Sequence, residues 1–431
     1  VFLNHFDPAD ISADVMVDRE DDVTWLSENF ESYFDAIERR TLGDTDKRIV
    51  CVTGDKGMGK SILAGKVIQE LRKKYSGSTL FVSVDCRGTN GARGVVASIA
   101  SGLVEEISTF QPVVAAGGRP YPDWLPALAS ELSNIAHADK ASSKTVHERL
   151  TKLKGTLKLG GQKMLGMLKA EWGISLDAEL RDVRTLESAI DFDIDRVFTL
   201  TTKLFQDIRA AGLRVFLLVD NVDELQHEYW DEDARKNTHA TVKRVLTLTE
   251  APIAMLLCMR TYFQSILPRV VGVPRAIQPL LAPQLLEIAK HRIHLEAEPA
   301  QRALRSDKAQ TMIAALARHA GTPLAFLTWV KWVAESREGF DAAIDKHAES
   351  WRGARYVDFR KAVARALELF AEKRADGDDA VARKDLIAAI GGDEDALRYL
   401  QDSELILPRD FWNPTHFVLD PTAAWIAEPH A

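Results

Sequence analysis

Two spacings of apolar residues alternate along the first two thirds of the chain. Arg48–Thr53, Thr79–Asp85, Arg214–Asp220 and Ile253–Arg260 are short, dense runs rich in β-branched or aliphatic residues, the pattern of buried strands. Between them apolar positions recur every three or four residues. Trp25, Phe30, Tyr33, Phe34 and Ile37 predict a helix from about Val23 to Arg40 that covers the core, and further helices are expected at Lys60–Lys73, Ala92–Ile107, Asp195–Ala211 and Ala240–Thr249. A weaker strand is expected at Ala276–Leu280. Strands alternating with helices imply an α/β fold, a mostly parallel sheet covered on both faces. The interval from Asp85 to Arg214 is far longer than an ordinary crossover, so an insertion is expected at about 110–190.

Beyond Pro283 the pattern turns helical, with helices expected at Leu285–Ile293, Ala303–Ala320 and Leu324–Ser336. The last segment reads as helices at Phe359–Lys373, Leu386–Ile390 and Asp393–Asp402, then extended runs at Leu405–Leu407 and Phe417–Leu419. The expected domains are a lead-in with a covering helix (1–47), a core with its insertion (48–282), a helical lid (283–345) and a winged-helix-like domain (350–431).

Composition narrows the class. With 431 residues, 46% hydrophobic and 27% charged, the chain has the balance of a folded soluble protein of two or three domains. No apolar stretch reaches the roughly 18 residues that a bilayer requires, and Val1–Asp7 lacks a secretory pattern, so a cytoplasmic protein without a transmembrane segment is expected. Cys51, Cys86 and Cys258 each lie in an apolar run and read as small core residues. A formal charge of −8 argues against a uniformly basic DNA-binding surface. One local exception stands out. Lys140–Trp172 carries eight basic residues against two acidic ones, with Leu150, Leu153, Leu157, Leu165 and Leu168 at helical intervals. It reads either as a contact for a partner, nucleic acid or membrane surface, or as a packed helical hairpin with a solvated basic face.

The chemistry is concentrated after the first strand. Gly54, Asp55, Lys56, Gly57, Met58, Gly59, Lys60 and Ser61 satisfy Gly-x4-Gly-Lys-Ser between a predicted strand and a predicted helix. Glycines allow successive N–H groups to face phosphate oxygens, and the helix start adds the positive end of its dipole. Lys60 is expected to reach the β- and γ-phosphates, with Ser61 supplying a hydroxyl to Mg²⁺. Asp220 ends the Val215–Val219 run and is the expected magnesium carboxylate. Asp223 and Glu224 are candidates to orient or deprotonate a water, Glu224 slightly ahead, against a plain reading as helix-capping or solvent-facing acids. Arg260, at the end of the next strand, is a candidate γ-phosphate sensor, against a surface ion pair. Arg269 and Arg275 could project into a neighbouring subunit, against the ordinary solvated reading, which is favoured for each.

With those residues in place, the chain resembles the AAA+ and STAND branch of P-loop ATPases, particularly origin-recognition-like ATPase domains, over roughly residues 14–335 outside the insertion. Asp18-Arg19-Glu20 resembles the short box near the adenine, and Phe81–Cys86 resembles the strand that follows the phosphate loop. Gln278–Arg292 resembles the lid entrance, and Gly321-Thr322-Pro323-Leu324 the Gly-x-Pro of STAND lids. The resemblance therefore implies nucleotide contacts from Arg19, from Gly54 through Ile62 and from Pro323, with ATP or ADP and Mg²⁺ as cofactors. Asn221 occupies the place of the usual catalytic Glu, and no second sensor Arg is assignable, so slow hydrolysis is expected. The leading expectation is an ATP-driven conformational switch or assembly ATPase, acting through a protein partner or self-assembly. The alternatives are an initiator-like ATPase that contacts DNA through the winged helix or basic insertion, and a structural nucleotide-binding protein with vestigial catalysis.

Overall fold

The computed structural model describes residues 3, 5–6, 19–39, 49–87, 89, 91–109, 198, 201–202, 204–206, 208–209, 213–225, 232–251, 253–268, 271–320, 322–336 and 359–420. Five strands, β1 (Ile49–Thr53), β2 (Thr79–Asp85), β3 (Arg214–Asp220), β4 (Ala254–Met259) and β5 (Arg275–Ala276), form one sheet in the order β2-β3-β4-β1-β5. Every pairing is parallel. The apolar runs become strands because both faces of the sheet are covered, which suits uninterrupted Val, Leu and Ile.

Period two sorts the strand residues between two cores. Val50, Val52, Phe81, Phe216, Leu218, Leu256 and Cys258 pack against α1 (Glu20–Arg39) and α2 (Lys60–Tyr75). Cys51, Val82, Val84, Leu217, Val219 and Leu257 face α3 (Gly91–Thr109) and the larger core. All three cysteines are buried with free thiols. In α1, Glu20, Asp21 and Asp22 complement the helix dipole, and Leu26, Phe30 and Phe34 are fully buried. Phe30 meets Phe216 edge-on at 4.9 Å. The described residues from Phe198 to Arg209 are helical, and α4 (Glu232–Thr247) begins eight residues before the expected Ala240.

The lid comprises α5 (Ala282–Leu295), α6 (Glu298–Leu304), α7 (Asp307–His319) and α8 (Pro323–Glu335). The single helix expected over Ala303–Ala320 is two. Ser306 is extended, and its Oγ accepts from the Ala309 N–H at 3.4 Å, capping α7 where a continuous helix would have run. The start of the chain packs on this lid: Phe6 is fully buried, the His5 N–H donates to Glu296 at 2.6 Å and the Leu3 N–H to Glu335 at 3.1 Å.

The C-terminal unit runs α9 (Arg360–Ala375), β6 (Ala380–Ala382), α10 (Arg383–Ala389), α11 (Glu394–Asp402), β7 (Ile406–Pro408) and β8 (His416–Leu419). Its strands form an antiparallel sheet in the order β6-β8-β7, giving the order of elements of a winged helix. The sequence pattern missed β6, three residues long with Val381 between two alanines. This unit docks on the core through Phe411, which is fully buried, meets Phe263 edge-on at 4.9 Å and donates its N–H to the Tyr262 carbonyl at 3.3 Å.

Candidate functional site

The Gly54–Gly59 loop connects β1 to α2 and needs glycine at two points. Gly57 and Gly59 have φ of 80° and 89°, in the left-handed region. At Gly57 the lid also leaves no room, since a Cβ would lie 2.3 Å from the Leu324 Cβ and 3.1 Å from the Thr322 Oγ1. Lys60 is buried and turns its ammonium back onto the loop, donating to the Gly54 carbonyl at 2.7 Å and the Asp55 carbonyl at 3.0 Å. Burial pulls its pKa down, against the nearby charges of Asp223 and Asp220. Burial likewise raises the Asp55 carboxyl, opposed by the Lys60 charge and a hydrogen bond from Thr261.

At the ends of β3 and β4 the other predicted residues converge. Asp220 is buried and accepts hydrogen bonds from the Ser61 hydroxyl and, at 2.9 Å, from the Asn221 N–H. Burial raises its carboxyl above the ordinary range despite those two donors. Asn221 takes φ 54°, a left-handed turn that Asn tolerates better than most side chains, and leads into the 3-10 turn Val222–Leu225. Asp223 accepts from the Arg260 N–H at 2.9 Å and pairs with its Nε at 3.0 Å, its side chain only 4% exposed. Glu224 lies 3.3 Å from Arg260 Nη2, and burial raises its carboxyl.

Sequence reasoning missed the third acid on Arg260. Glu404, between α11 and β7, accepts from Arg260 Nη2 at 2.8 Å with its other oxygen on Lys56 Nζ of the glycine-rich loop. Although burial opposes ionisation, these two cations hold the Glu404 carboxyl down at about 2. Burial opposes the Arg260 charge, but Asp223, Tyr262 and Glu404 more than offset it and push its pKa up. No local signal marks Glu404, which is 348 residues from Lys56 and reaches it only through the fold.

Arg19 lies on the β5 side of the loop, donating to the Gln278 carbonyl at 2.6 Å, and the adjacent Ile277 N–H donates to Thr53 at 2.7 Å. Pro323 opens α8 immediately before Leu324, the residue that covers Gly57. Ile62 is part-exposed on the first turn of α2. Arg275 pairs within the chain, its Nε 2.8 Å and Nη2 2.7 Å from Asp22, with its guanidinium over the Trp25 ring. Arg269 and the basic Lys140–Trp172 segment lie outside the described residues.

The donor set fits a magnesium nucleotide. Lys60 has turned onto main-chain oxygens, the kind of acceptor that phosphate would replace, and the Ser61–Asp220 hydrogen bond brings together two oxygen ligands suited to a hard cation. Among the described residues, no helix is long and apolar enough to cross a membrane.

The family profile described as "Nephrocystin 3, N-terminal" matches residues 25–154, a span that includes the glycine-rich loop. No curated protein matches the chain. Among solved structures the chain is similar to the ORC2 protein of Aeropyrum pernix in its ADPNP–ADP complexes, at 12% identity and a TM-score of 0.46, covering 98% of this chain and 96% of that one. It is also similar to Cdc6p of Pyrobaculum aerophilum, at 12% identity and a TM-score of 0.40, covering 98% and 96%. Similarity to the Drosophila ORC bound to DNA is at 12% identity and a TM-score of 0.42, covering 98% and 88%.

Proposed function

We propose that this chain is an ATP-binding, slowly hydrolysing conformational switch, in which the C-terminal unit docks on the phosphate site and is released when a nucleoside triphosphate claims the same cations. The observation that carries this reading is Glu404, one carboxylate bridging Lys56 of the loop and Arg260 of the core. A terminal phosphate needs those cations, and two anions cannot share them at full strength. In the bound state Lys60 and the loop N–H groups hold the phosphates, and Ser61 and Asp220 hold the metal, which neutralises phosphate charge. Arg260, freed from Glu404 but still anchored by Asp223, bears on the terminal phosphate. Leu324 and Pro323 transmit loop position to the lid, and Arg19 lines the base side. The released face of the C-terminal unit, including Phe411, becomes the surface for a protein partner or a second copy.

Two measurements test this. Glu404→Ala should bind MgATP about tenfold more tightly, or ~1.4 kcal/mol, while MgADP affinity changes little. A dye pair on cysteines introduced at Lys66 and Arg398 should report a longer distance with MgATP than with MgADP in the parent. Identical affinities in parent and variant, with one distance for both nucleotides, would contradict the switch.

A further inference from the structure

We propose that the lid carries a peptide site, filled in this structure by the chain's own Leu3, His5 and Phe6, and that filling it holds the lid against the glycine-rich loop. The second half rests on the ATP reading above and names a regulator of that site.

The contact is made by charged side chains on backbone. Arg292 and Glu296 lie one turn apart at the end of α5 and are almost fully buried, at 1% and 3% exposure. Both act on one residue. Arg292 Nη1 donates to the His5 carbonyl at 2.5 Å, and Glu296 Oε1 accepts from the His5 N–H at 2.6 Å. Two residues earlier, the Leu3 N–H donates to Glu335, the last residue of α8. Leu3 and Phe6 supply the apolar part, both buried in the same cluster as Leu285, Ile288 and Val333 of the lid.

Stability alone does not call for this arrangement. A buried arginine and glutamate cost desolvation that apolar residues of similar size avoid, whereas their bonds to an N–H and a carbonyl are directional and select what sits there. The ligand they select is a short peptide with apolar residues at the places of Leu3 and Phe6. Any residue but proline fits the backbone bonds at the place of His5, since proline has no N–H to offer Glu296. Glu296 is itself anchored: its carbonyl accepts from Gln301 Nε2 of α6 at 2.8 Å, which fixes the α5–α6 corner that carries the carboxylate.

The site bears on the glycine-rich loop through α8, a helix of 13 residues and so about 20 Å long. At its first turn the Leu324 N–H donates to the Gly57 carbonyl at 3.4 Å, and at its far end Glu335 holds Leu3. Arg292 and Glu296 fasten the same segment to α5, so a filled site ties α5 to α8 and limits how far α8 can tilt off the loop. Emptying the site frees that tilt and weakens the hold on nucleotide. Linkage makes the effect reciprocal: bound nucleotide tightens the peptide by the factor by which the peptide tightens nucleotide.

The experiment uses full-length Phe6→Asp, which puts a charge where the apolar side chain was buried and so empties the site. Two synthetic, fluorescently labelled peptides of residues 1–10 are titrated into it with and without MgATP, one of them N-methylated at His5. The plain peptide should bind, and the methylated one at least about tenfold more weakly, because the N–H bonded to charged Glu296 is gone. Saturating peptide should tighten MgATP about fivefold or more, with MgATP tightening the peptide equally. The parent, its site filled, should bind MgATP that much more tightly than Phe6→Asp and take up no peptide. A second form, the parent cut after folding at a protease site placed between Asp10 and Asp14, gives the same readings without a buried substitution. Binding of neither peptide to either form, or equal binding of both, overturns the site. Peptide binding that leaves MgATP affinity unchanged overturns its hold on the lid. A parent that fails to bind MgATP removes the ATP reading and the coupling with it, while the peptide titration by itself still decides the site.

Discussion

Lys60 is an ammonium held in a buried site at the start of α2. An ammonium in a buried site is costly unless it is hydrogen-bonded, and here two loop carbonyls supply the acceptors. Replacing it with Ala removes the cation that phosphate would draw off those carbonyls, so Lys60→Ala should weaken MgATP binding by about 1.5–3 kcal/mol, roughly ten- to a hundredfold. Titration calorimetry checks this; equal affinities would remove Lys60 from the phosphate site. The acids nearby have distinct assignments for the same physical reason. Asp220 accepts from Ser61, Asp223 is closed on Arg260, and Asp85 pairs with Arg87 and Asn221.

At the scale of elements, the glycine-rich loop and the lid meet closely at Gly57. Gly57 and Gly59 share a left-handed backbone, yet a Cβ at Gly59 would meet nothing within 4 Å, whereas one at Gly57 would run into Leu324. Gly59→Ala should therefore cost the backbone strain alone, about 1–2 kcal/mol. Gly57→Ala should cost that strain and also push α8 away from the loop. Chemical denaturation of the nucleotide-free protein should show the larger loss for Gly57→Ala, and hydrogen exchange should rise in Pro323–Glu335 for that variant only. Equal losses and unchanged exchange would mean that the lid does not bear on the loop. The divided helix at Ser306 and the added β6 belong to the same scale, because capping and strand pairing were decided locally by Ser306 and by a distant partner, Phe417.

Across the whole molecule, the contact of Glu404 with Lys56 and Arg260 makes docking of the C-terminal unit sensitive to acid. Its carboxyl titrates at about 2 when docked, against an ordinary value of 4.5, so the contact favours docking fully above about pH 4.5 and loses that contribution as pH falls toward 2. Glu224 has the opposite sign: burial raises its carboxyl, so protonation relieves a cost rather than adding one. The Lys66–Arg398 dye distance should stay constant from neutral pH to about 5 and lengthen below it. Glu404→Gln should abolish that transition, and its persistence in the variant would assign acid release to another group.

Much of this architecture was legible in the chain alone. The ends of β2 and β3, Thr79–Asp85 and Arg214–Asp220, coincide with their apolar runs because strands buried on both faces need uninterrupted hydrophobicity. The Gly54–Gly59 turn was equally readable, since the left-handed backbone at Gly57 and Gly59 needs glycine at those points. What only the tertiary structure decided are the pairings between distant segments. Arg275 faces Asp22, Phe6 is buried with the core and lid, and Glu404 reaches the glycine-rich loop. Local pattern reports which residues prefer burial and which backbone shapes they tolerate. The partner of a charge is set by where the packed core brings the chain back on itself, and no window of sequence contains that information.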